Sequence, residues 1–204
     1  MDPEKQRRII DAVLKEFAEH GYLNASTNRM VQEAQIGKGM LFYYFKNKEE
    51  LFRYAFEYSL DYIAKAYVET MDYMEPDFIT RYTKALRAKM EAYVRNPLAM
   101  TFVAEIYLKR DGAEVAQDLY DRLEEMTNRG HHKLFSNVDT TRFRPDVPAE
   151  QIINLVRWSI EGYQNEVISA LDGKPMLNID WEPYLAEFHD FLNVLRRILY
   201  KQGG

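Results

Sequence analysis

The chain has 204 residues, of which 47% are hydrophobic and 29% charged, so it can bury a sizeable core and is unlike a disordered chain. It has no cysteine, which excludes disulfides, thiolate metal sites and cysteine nucleophiles. The net charge of −5 excludes a uniformly basic surface for polyanions, but a global sum can hide a local basic patch. Such a patch is indicated within residues 26–48, where four basic residues face a single acidic one, Glu33.

The N-terminal sequence MDPEKQRR mixes both charges and is not followed by an apolar segment. No window approaches the roughly 18 apolar residues that a membrane-spanning helix needs. We therefore expect a cytoplasmic protein with no membrane partner.

The first predicted helix begins at Asp2 and Pro3, which fit an N-cap followed by a proline in the first turn. Its apolar residues recur at helical spacing as far as Gly21, which is a natural stop. Two short helices are then predicted over residues 27–34 and 38–44.

Asn47 and Glu50 have the spacing of a capping box, and a fourth helix is predicted from there to about residue 71. Polar and proline-containing breakers, among them RNP, RDG, RPDVP and LDGKP, separate the remaining helical patterns. These patterns cover about residues 77–95, 97–109, 112–136, 149–171 and 182–201. No strand-like alternation of useful length occurs, so the sequence predicts an all-α fold. We expect a small domain over residues 1–50, joined rigidly through the fourth helix to a larger domain over residues 51–204.

Two short helices joined by a three-residue turn form a helix-turn-helix, in which the second short helix enters the major groove of DNA. On this interpretation Leu41 and Phe45 insert into the small core. The side chains expected to point outward are suitable donors to phosphate oxygens. They are Tyr43, Tyr44, Lys46 and Lys48.

The run STNRMVQEAQIGKGMLFYYFKNKEELF resembles the DNA-binding signature of the TetR family of bacterial transcriptional regulators, roughly TxxxIAxxAGVSxGxxYxYFxxKExL. The identical positions are Thr27, Ala34, Gly39, Tyr44, Phe45, Lys48, Glu49 and Leu51. Three residues depart from the pattern. Gln35 replaces a turn glycine and must reach a left-handed conformation unless the turn differs, Gly37 replaces a serine cap, and Phe42 replaces a tyrosine that often contacts phosphate.

The resemblance implies that the starts of both short helices lie nearest the DNA. The residues concerned are Thr27, Asn28, Arg29, Lys38, Gly39 and Met40. Lys38 or Arg29 would donate to guanine and Met40 would touch a thymine methyl group, whereas Phe42 would lie either at the DNA surface or in the core. The resemblance also implies a double-stranded palindromic operator and favours a repressor.

For the larger domain, the resemblance implies a pocket for a small effector and a homodimer formed through the two C-terminal helices. A hydrophobic or aromatic effector would suit side chains of the middle helices. The candidate lining residues are Tyr67, Met90, Tyr93, Phe102, Tyr107, Trp158 and Tyr163, with Gln164 and Asn165 as polar anchors. The candidate dimer faces are Ile152, Leu155, Val156, Trp158 and Ile160 in one helix, and Leu185, Phe188, Leu192, Leu195 and Leu199 in the other.

Two other classes of function are alternatives to a DNA-binding regulator. An enzyme is disfavoured because the four histidines have no metal-ligand spacing, and Glu161 and Glu166 lie on different sides of a helix. We therefore predict no catalytic residues, no metal and no cofactor. A ligand-binding or protein-interaction module that has lost DNA binding remains the second alternative.

Overall fold

The computed structural model describes residues 2–171, 174 and 176–201. Within these ranges the regular secondary structure is helical, apart from one isolated antiparallel bridge between Phe143 and Tyr200, so the all-α prediction is confirmed. The α-helices of the described residues are α1 (Pro3–Asn24), α2 (Thr27–Glu33), α3 (Lys38–Tyr44), α4 (Lys48–Ala66), α5 (Phe78–Arg95), α6 (Pro97–Lys109), α7 (Ala113–Phe135), α8 (Ala149–Ala170) and α9 (Glu182–Leu199). Part of the predicted breaker LDGKP, namely Asp172, Gly173 and Pro175, lies outside the described residues.

The predicted end of the fourth helix is wrong. The helix α4 ends at Ala66 and is followed by a short 3-10 turn, Val68–Thr70. The hydroxyl of Thr70 donates to the carbonyl of Tyr67 at 2.8 Å, and the Thr70 N–H donates to the same carbonyl at 3.2 Å. A threonine side chain that competes for a carbonyl in this way favours the tighter turn over a continued α-helix.

The described residues fall into two compact units, one drawn from 1–71 with 88–130 and the other from 72–87 with 131–204. The first unit has an aromatic core in which ring centroids lie between 5.1 and 6.3 Å apart. Its rings, all fully buried, are Phe17 of α1, Phe52 and Phe56 of α4 and Phe102 of α6. Packing therefore joins α6 to the first helices, and the predicted domain boundary between residues 50 and 51 stays a prediction.

In the second unit, α8 packs against α9. Most of the apolar residues that the sequence assigned to a dimer face are buried here in the chain's own core, namely Ile152, Val156, Ile160, Phe188, Leu192, Leu195 and Leu199. Leu155 and Trp158 remain exposed at 43% and 57%, and Val194 and Ile198 of α9 are exposed at 41% and 52%. The predicted stripes therefore serve mainly intrachain packing, although Leu155 and Trp158 of the predicted face stay at the surface.

No helix in the described ranges combines the length and the apolar character needed to cross a membrane.

Candidate nucleic-acid interface

The turn between α2 and α3 depends on one residue with a left-handed backbone. Gln35 has φ of 53°, so the left-handed conformation expected there is confirmed. Its N–H donates to the Gln32 carbonyl at 3.2 Å, and the Ile36 N–H donates to the Val31 carbonyl at 3.1 Å. This pair of bonds is the Schellman arrangement, which ends α2 and turns the chain into α3.

One face of α3 packs into the core, and the opposite face is exposed to solvent. Leu41 is buried, and the half-buried ring of Phe45 lies 5.1 Å from the Tyr54 ring. Tyr43 is 81% exposed and Tyr44 is 42% exposed. Both tyrosine side chains therefore point outward, as predicted from the sequence, and their contact with phosphate stays a prediction.

Phe42 lies at the surface of the domain rather than in its core. Its side chain is 39% exposed, and the Lys38 ammonium lies 6.0 Å from the centre of its ring. The loss of the tyrosine hydroxyl at this position has therefore not moved the ring inward.

The base-contact candidates at the helix starts differ in their exposure. Asn28, Lys38 and Gly39 are exposed, whereas Thr27 and Met40 are half-buried. A Cβ added at Gly39 would meet no atom of the described chain within 4 Å. The backbone at the start of α3 is therefore open to close approach by another molecule.

The two lysines that flank Asn47 lie in different environments. Lys46 is exposed, and its backbone N–H donates to the Glu50 carboxylate at 2.7 Å, while Asn47 caps α4 by accepting from the Glu50 N–H at 2.8 Å. Lys48 differs from its predicted outward orientation. Its ammonium group donates to the carbonyls of Leu23 at 3.1 Å and Ala25 at 3.4 Å, so it ties the start of α4 to the end of α1.

A buried carboxylate links α1 to the start of α2. Glu16 is only 6% exposed and accepts from the Ser26 N–H at 2.8 Å and from Arg29 Nε at 2.9 and 3.0 Å. Arg29 Nη2 also donates to Glu16, at 2.5 Å, and to the Asn24 carbonyl at 2.9 Å. Sequence reasoning missed Glu16, although an acidic residue directly before Phe17 in the apolar stripe of α1 was a usable signal.

The same contacts set the ionisation of this pair. Burial raises the pKa of the Glu16 carboxyl, but the hydrogen bonds from Arg29 and Ser26 lower it by more, so its pKa lies below the ordinary value. The Nε and Nη2 nitrogens of Arg29 are taken up by Glu16, although half of the Arg29 side-chain surface is exposed. This leaves Lys38 better placed than Arg29 to donate to a base.

The local charge balance also favours an anionic partner. Glu33, the one acidic residue within residues 26–48, forms an ion pair with Lys15 at 2.8 Å. Its charge is thus offset from within the domain, and Lys38 and Lys46 remain exposed.

The predicted pocket residues are divided between the two units. In the first unit Phe102 is fully buried among aromatic rings and Tyr107 is 51% exposed. Tyr67, Met90 and Tyr93 are half-buried there. Their lining of an effector pocket stays a prediction.

In the second unit Tyr163 belongs to an aromatic group with Tyr82, Phe188 and Phe191, whose neighbouring ring centroids are 5.1 to 6.1 Å apart. Gln164 donates to the Tyr82 hydroxyl at 3.3 Å, and burial raises the pKa of Tyr82 to about 12. The predicted residues Trp158 and Asn165 are exposed.

Two surface clefts are formed by other residues. One, of about 580 Å³, lies in the first unit between the end of α1 and the turn before α7, and the other, of about 330 Å³, lies in the second unit. The second cleft is lined by His131, His132, Phe135, Ser136, Ile153, Asn154, Arg157 and Glu161. Among the described residues, no group of three or more His, Asp or Glu side chains is arranged to hold a metal ion.

The short helices α2 and α3 form a helix-turn-helix, and one side of α3 is exposed. This arrangement places the protein in the class of helix-turn-helix proteins. Residues 9–55 match the family described as bacterial regulatory proteins, tetR family. An HTH-type transcriptional repressor of Streptomyces coelicolor is 42% identical over 52 residues, 25% of this chain and 27% of that protein. The fatty acid metabolism regulator protein of Bacillus subtilis is 36% identical over 47 residues, 23% of this chain and 24% of that protein.

These matches span about a quarter of the length of the curated relatives. Solved structures extend the likeness in fold to nearly the whole chain. The ketosteroid transcriptional regulator of Mycobacterium tuberculosis has a TM-score of 0.63 at 16% identity, covering 99% of this chain and 97% of that one. A TetR-like transcriptional regulator from Rhodococcus sp. RHA1 has a TM-score of 0.60 at 18% identity, covering 95% and 93%. Residues 9–55 therefore carry the sequence of the TetR family of bacterial transcriptional regulators, and beyond them the likeness is one of fold.

Proposed function

We propose that this protein is a ligand-responsive, DNA-binding transcriptional regulator, a repressor that a small hydrophobic or aromatic effector releases from a palindromic operator. The observation that carries the proposal is the exposed face of α3, which offers two tyrosine hydroxyls and Lys38, with Lys46 just after the helix, while the buried Leu41 anchors the helix in the core. Such a protein would act at the bacterial chromosome, in the cytoplasm.

On this proposal α3 enters the major groove with its N-terminus toward the bases. Lys38 donates to guanine O6 or N7, and the open backbone at Gly39 allows close approach. Tyr43, Tyr44 and Lys46 donate to phosphate oxygens. The first free N–H groups of α4, after the Asn47 cap, supply further donors at the positive end of the helix dipole.

A homodimer through α8 and α9 would place two such helices on one operator. The exposed apolar side chains on these helices support this arrangement: Leu155 and Trp158 on α8, and Val194 and Ile198 on α9. A two-fold axis would pair the same surface with itself and set the two α3 helices about 34 Å apart, in successive major grooves.

Effector binding would act by a population shift, because the effector would bind better to a state in which the two DNA-binding regions are out of register. The aromatic group around Tyr163, with the protonated Tyr82 hydroxyl as a polar anchor, supports a hydrophobic or aromatic effector. Native mass spectrometry of protein purified from cells would detect a retained effector directly.

The test of the DNA-binding proposal is fluorescence anisotropy with a labelled fragment from upstream of the protein's own gene. A fragment of the same length and composition, in scrambled order, is the control. We expect tighter binding to the native fragment and a steep loss of affinity with salt. Equal binding to both fragments, or no binding at low salt, would instead favour the interaction module.

Lys38→Ala is expected to change sequence preference more than total affinity. Removing one base contact should reduce discrimination between the operator and single-base variants by about 1–3 kcal/mol at one position. Competition binding with single-base variants measures this, and Lys65→Ala, which removes an exposed lysine near the end of α4, is the matched control. If Lys38→Ala discriminates as wild type does, Lys38 does not contact a base.

Lys46→Ala is expected to weaken binding to operator and scrambled DNA alike, because a phosphate contact carries no sequence information. The slope of log affinity against log salt concentration should fall by about 0.9 for the lost contact. Anisotropy titrations at several salt concentrations give this slope. An unchanged slope would remove Lys46 from the phosphate contacts.

A further inference from the structure

The turn between α6 and α7 is joined to a kink near the end of α1, within one compact unit. Gly21 interrupts the helical geometry of α1 with φ of 70° and ψ of 176°. The following N–H, that of Tyr22, donates to Oδ2 of Asp111 at 2.5 Å. A Cβ at Gly21 would overlap this same oxygen atom, so the kink and the Asp111 carboxylate are fitted to each other.

The turn that carries Asp111 is itself fixed by several contacts. Arg110 has a left-handed backbone with φ of 49°, and its guanidinium lies 5.3 Å from the centre of the Tyr120 ring. The Tyr120 hydroxyl donates to the Asp111 carbonyl at 2.7 Å. Gly112 has φ of 78°, and a Cβ there would lie 2.8 Å from the Phe52 ring. The carboxylate is therefore presented by a rigid turn rather than by a loose loop.

From the kink, contacts continue to the starts of α2 and α4. The Tyr22 ring lies 5.0 Å from the Phe52 ring, and the Lys48 ammonium lies 4.9 Å from the centre of the Tyr22 ring. The same ammonium donates to the carbonyls of Leu23 and Ala25. Ala25 directly precedes Ser26, the N-cap of α2. Tyr22 is thus connected, through Lys48, to the start of α4 and to the residue before the N-cap of α2.

We propose that Asp111 is a positioning residue for operator binding, which holds the end of α1, and through it the helix-turn-helix, in the orientation that fits DNA. The inference rests on the proposed DNA-binding function. A shift of the α6–α7 turn would move the Tyr22 amide with it, so this hydrogen bond offers a path by which a change in α6 or α7 reaches the DNA-binding helices.

The test compares operator and scrambled DNA for Asp111→Ala, Asp111→Asn and Glu114→Ala in the full chain, with thermal denaturation to confirm folding. Asp111→Ala is expected to lower operator affinity about tenfold with little change for scrambled DNA, because fewer molecules hold the fitted orientation while every phosphate donor remains. Asp111→Asn keeps an oxygen acceptor for the Tyr22 N–H and should recover most of the loss. Glu114→Ala removes the same charge from the same cleft without touching that hydrogen bond, and should leave the operator-to-scrambled ratio unchanged.

The outcomes separate the two proposals. If wild type prefers the operator and Asp111→Ala keeps the same ratio, or loses affinity for both DNAs together, the positioning role is wrong and the proposed function stands. If wild type shows no preference for the operator, the proposed function fails and the positioning role fails with it.

Discussion

Glu16→Ala is expected to weaken operator binding by at least tenfold and to lower the free energy of unfolding by about 2 kcal/mol. The substitution leaves the Ser26 N–H and two guanidinium nitrogens of Arg29 without their shared acceptor. Because Arg29 is half exposed, water recovers part of its loss, which keeps the expected cost below that of breaking a fully buried pair. The functional loss exceeds what stability alone would cause, since the start of α2 and Arg29 both lose their fixed position.

Anisotropy with operator DNA and urea denaturation measure the two effects. Glu19→Ala is the matched control, because it removes the same charge from an exposed position three residues along α1. We expect the control to bind DNA at least as well as wild type. Equal behaviour of the two variants would show that Glu16 does not organise the interface.

The same site should show a defined pH dependence. The pKa of the Glu16 carboxyl is lowered from its ordinary value of 4.5 in the folded state, as the net result of burial, which raises it, and the Arg29 and Ser26 hydrogen bonds, which lower it by more. A lowered pKa contributes stability that is present above the unfolded-state value and is lost as the pH falls through the folded-state value. Stability measured between pH 7 and pH 3.5 should therefore fall more for wild type than for Glu16→Gln, and parallel curves would contradict the assignment.

Arg81→Met is expected to be the most destabilising single substitution considered, at about 3–5 kcal/mol. Arg81 is 2% exposed and donates to the backbone carbonyl of Glu75, before α5, and to four carbonyls around the end of α7. The acceptors are Glu75 at 2.6 Å, Lys133 at 3.3 Å, Leu134 at 3.1 Å, Ser136 at 2.5 Å and Asn137 at 3.2 Å. The last carbonyls of a helix have no partner within the helix, so the guanidinium serves as the cap of α7. Methionine fills a similar volume but donates nothing, so these buried and partly buried oxygens would all lose the guanidinium donor.

Thermal denaturation should show a fall in Tm of about 10 °C, on the scale of about 2–4 °C per kcal/mol for a chain of this size. Arg87→Met, on the exposed side of the same helix, removes the same charge and should change Tm by little. A loss of less than about 1 kcal/mol in Arg81→Met would mean that water or a backbone shift replaces the guanidinium.

Sequence signals predicted the geometry of the helix-turn-helix well. The predicted bounds of α3 were correct: the helix begins at Lys38, directly after its N-cap Gly37, and ends at Tyr44, because the backbone of Phe45 is extended. The left-handed backbone at Gln35 followed from the resemblance to the family signature, which has a glycine there, whereas the surface location of Tyr43 and Tyr44 followed from helical spacing around Leu41. All these properties depend on neighbours in the sequence.

The chain by itself thus determined the helical class, the helix-turn-helix and the family signature, since these arise from backbone preference and from the spacing of apolar residues. Only the tertiary structure decided which partner each charged group takes and what covers each apolar stripe. Glu16 reaches Ser26 and Arg29, Lys48 reaches the end of α1, and Asp111 reaches Tyr22 across 89 positions. The apolar stripes of α8 and α9 predicted that both helix faces are buried, and packing within the chain buries most of the residues in each stripe. Periodicity reveals that a face is buried but carries no information on the surface that buries it, because that surface is brought there by the fold.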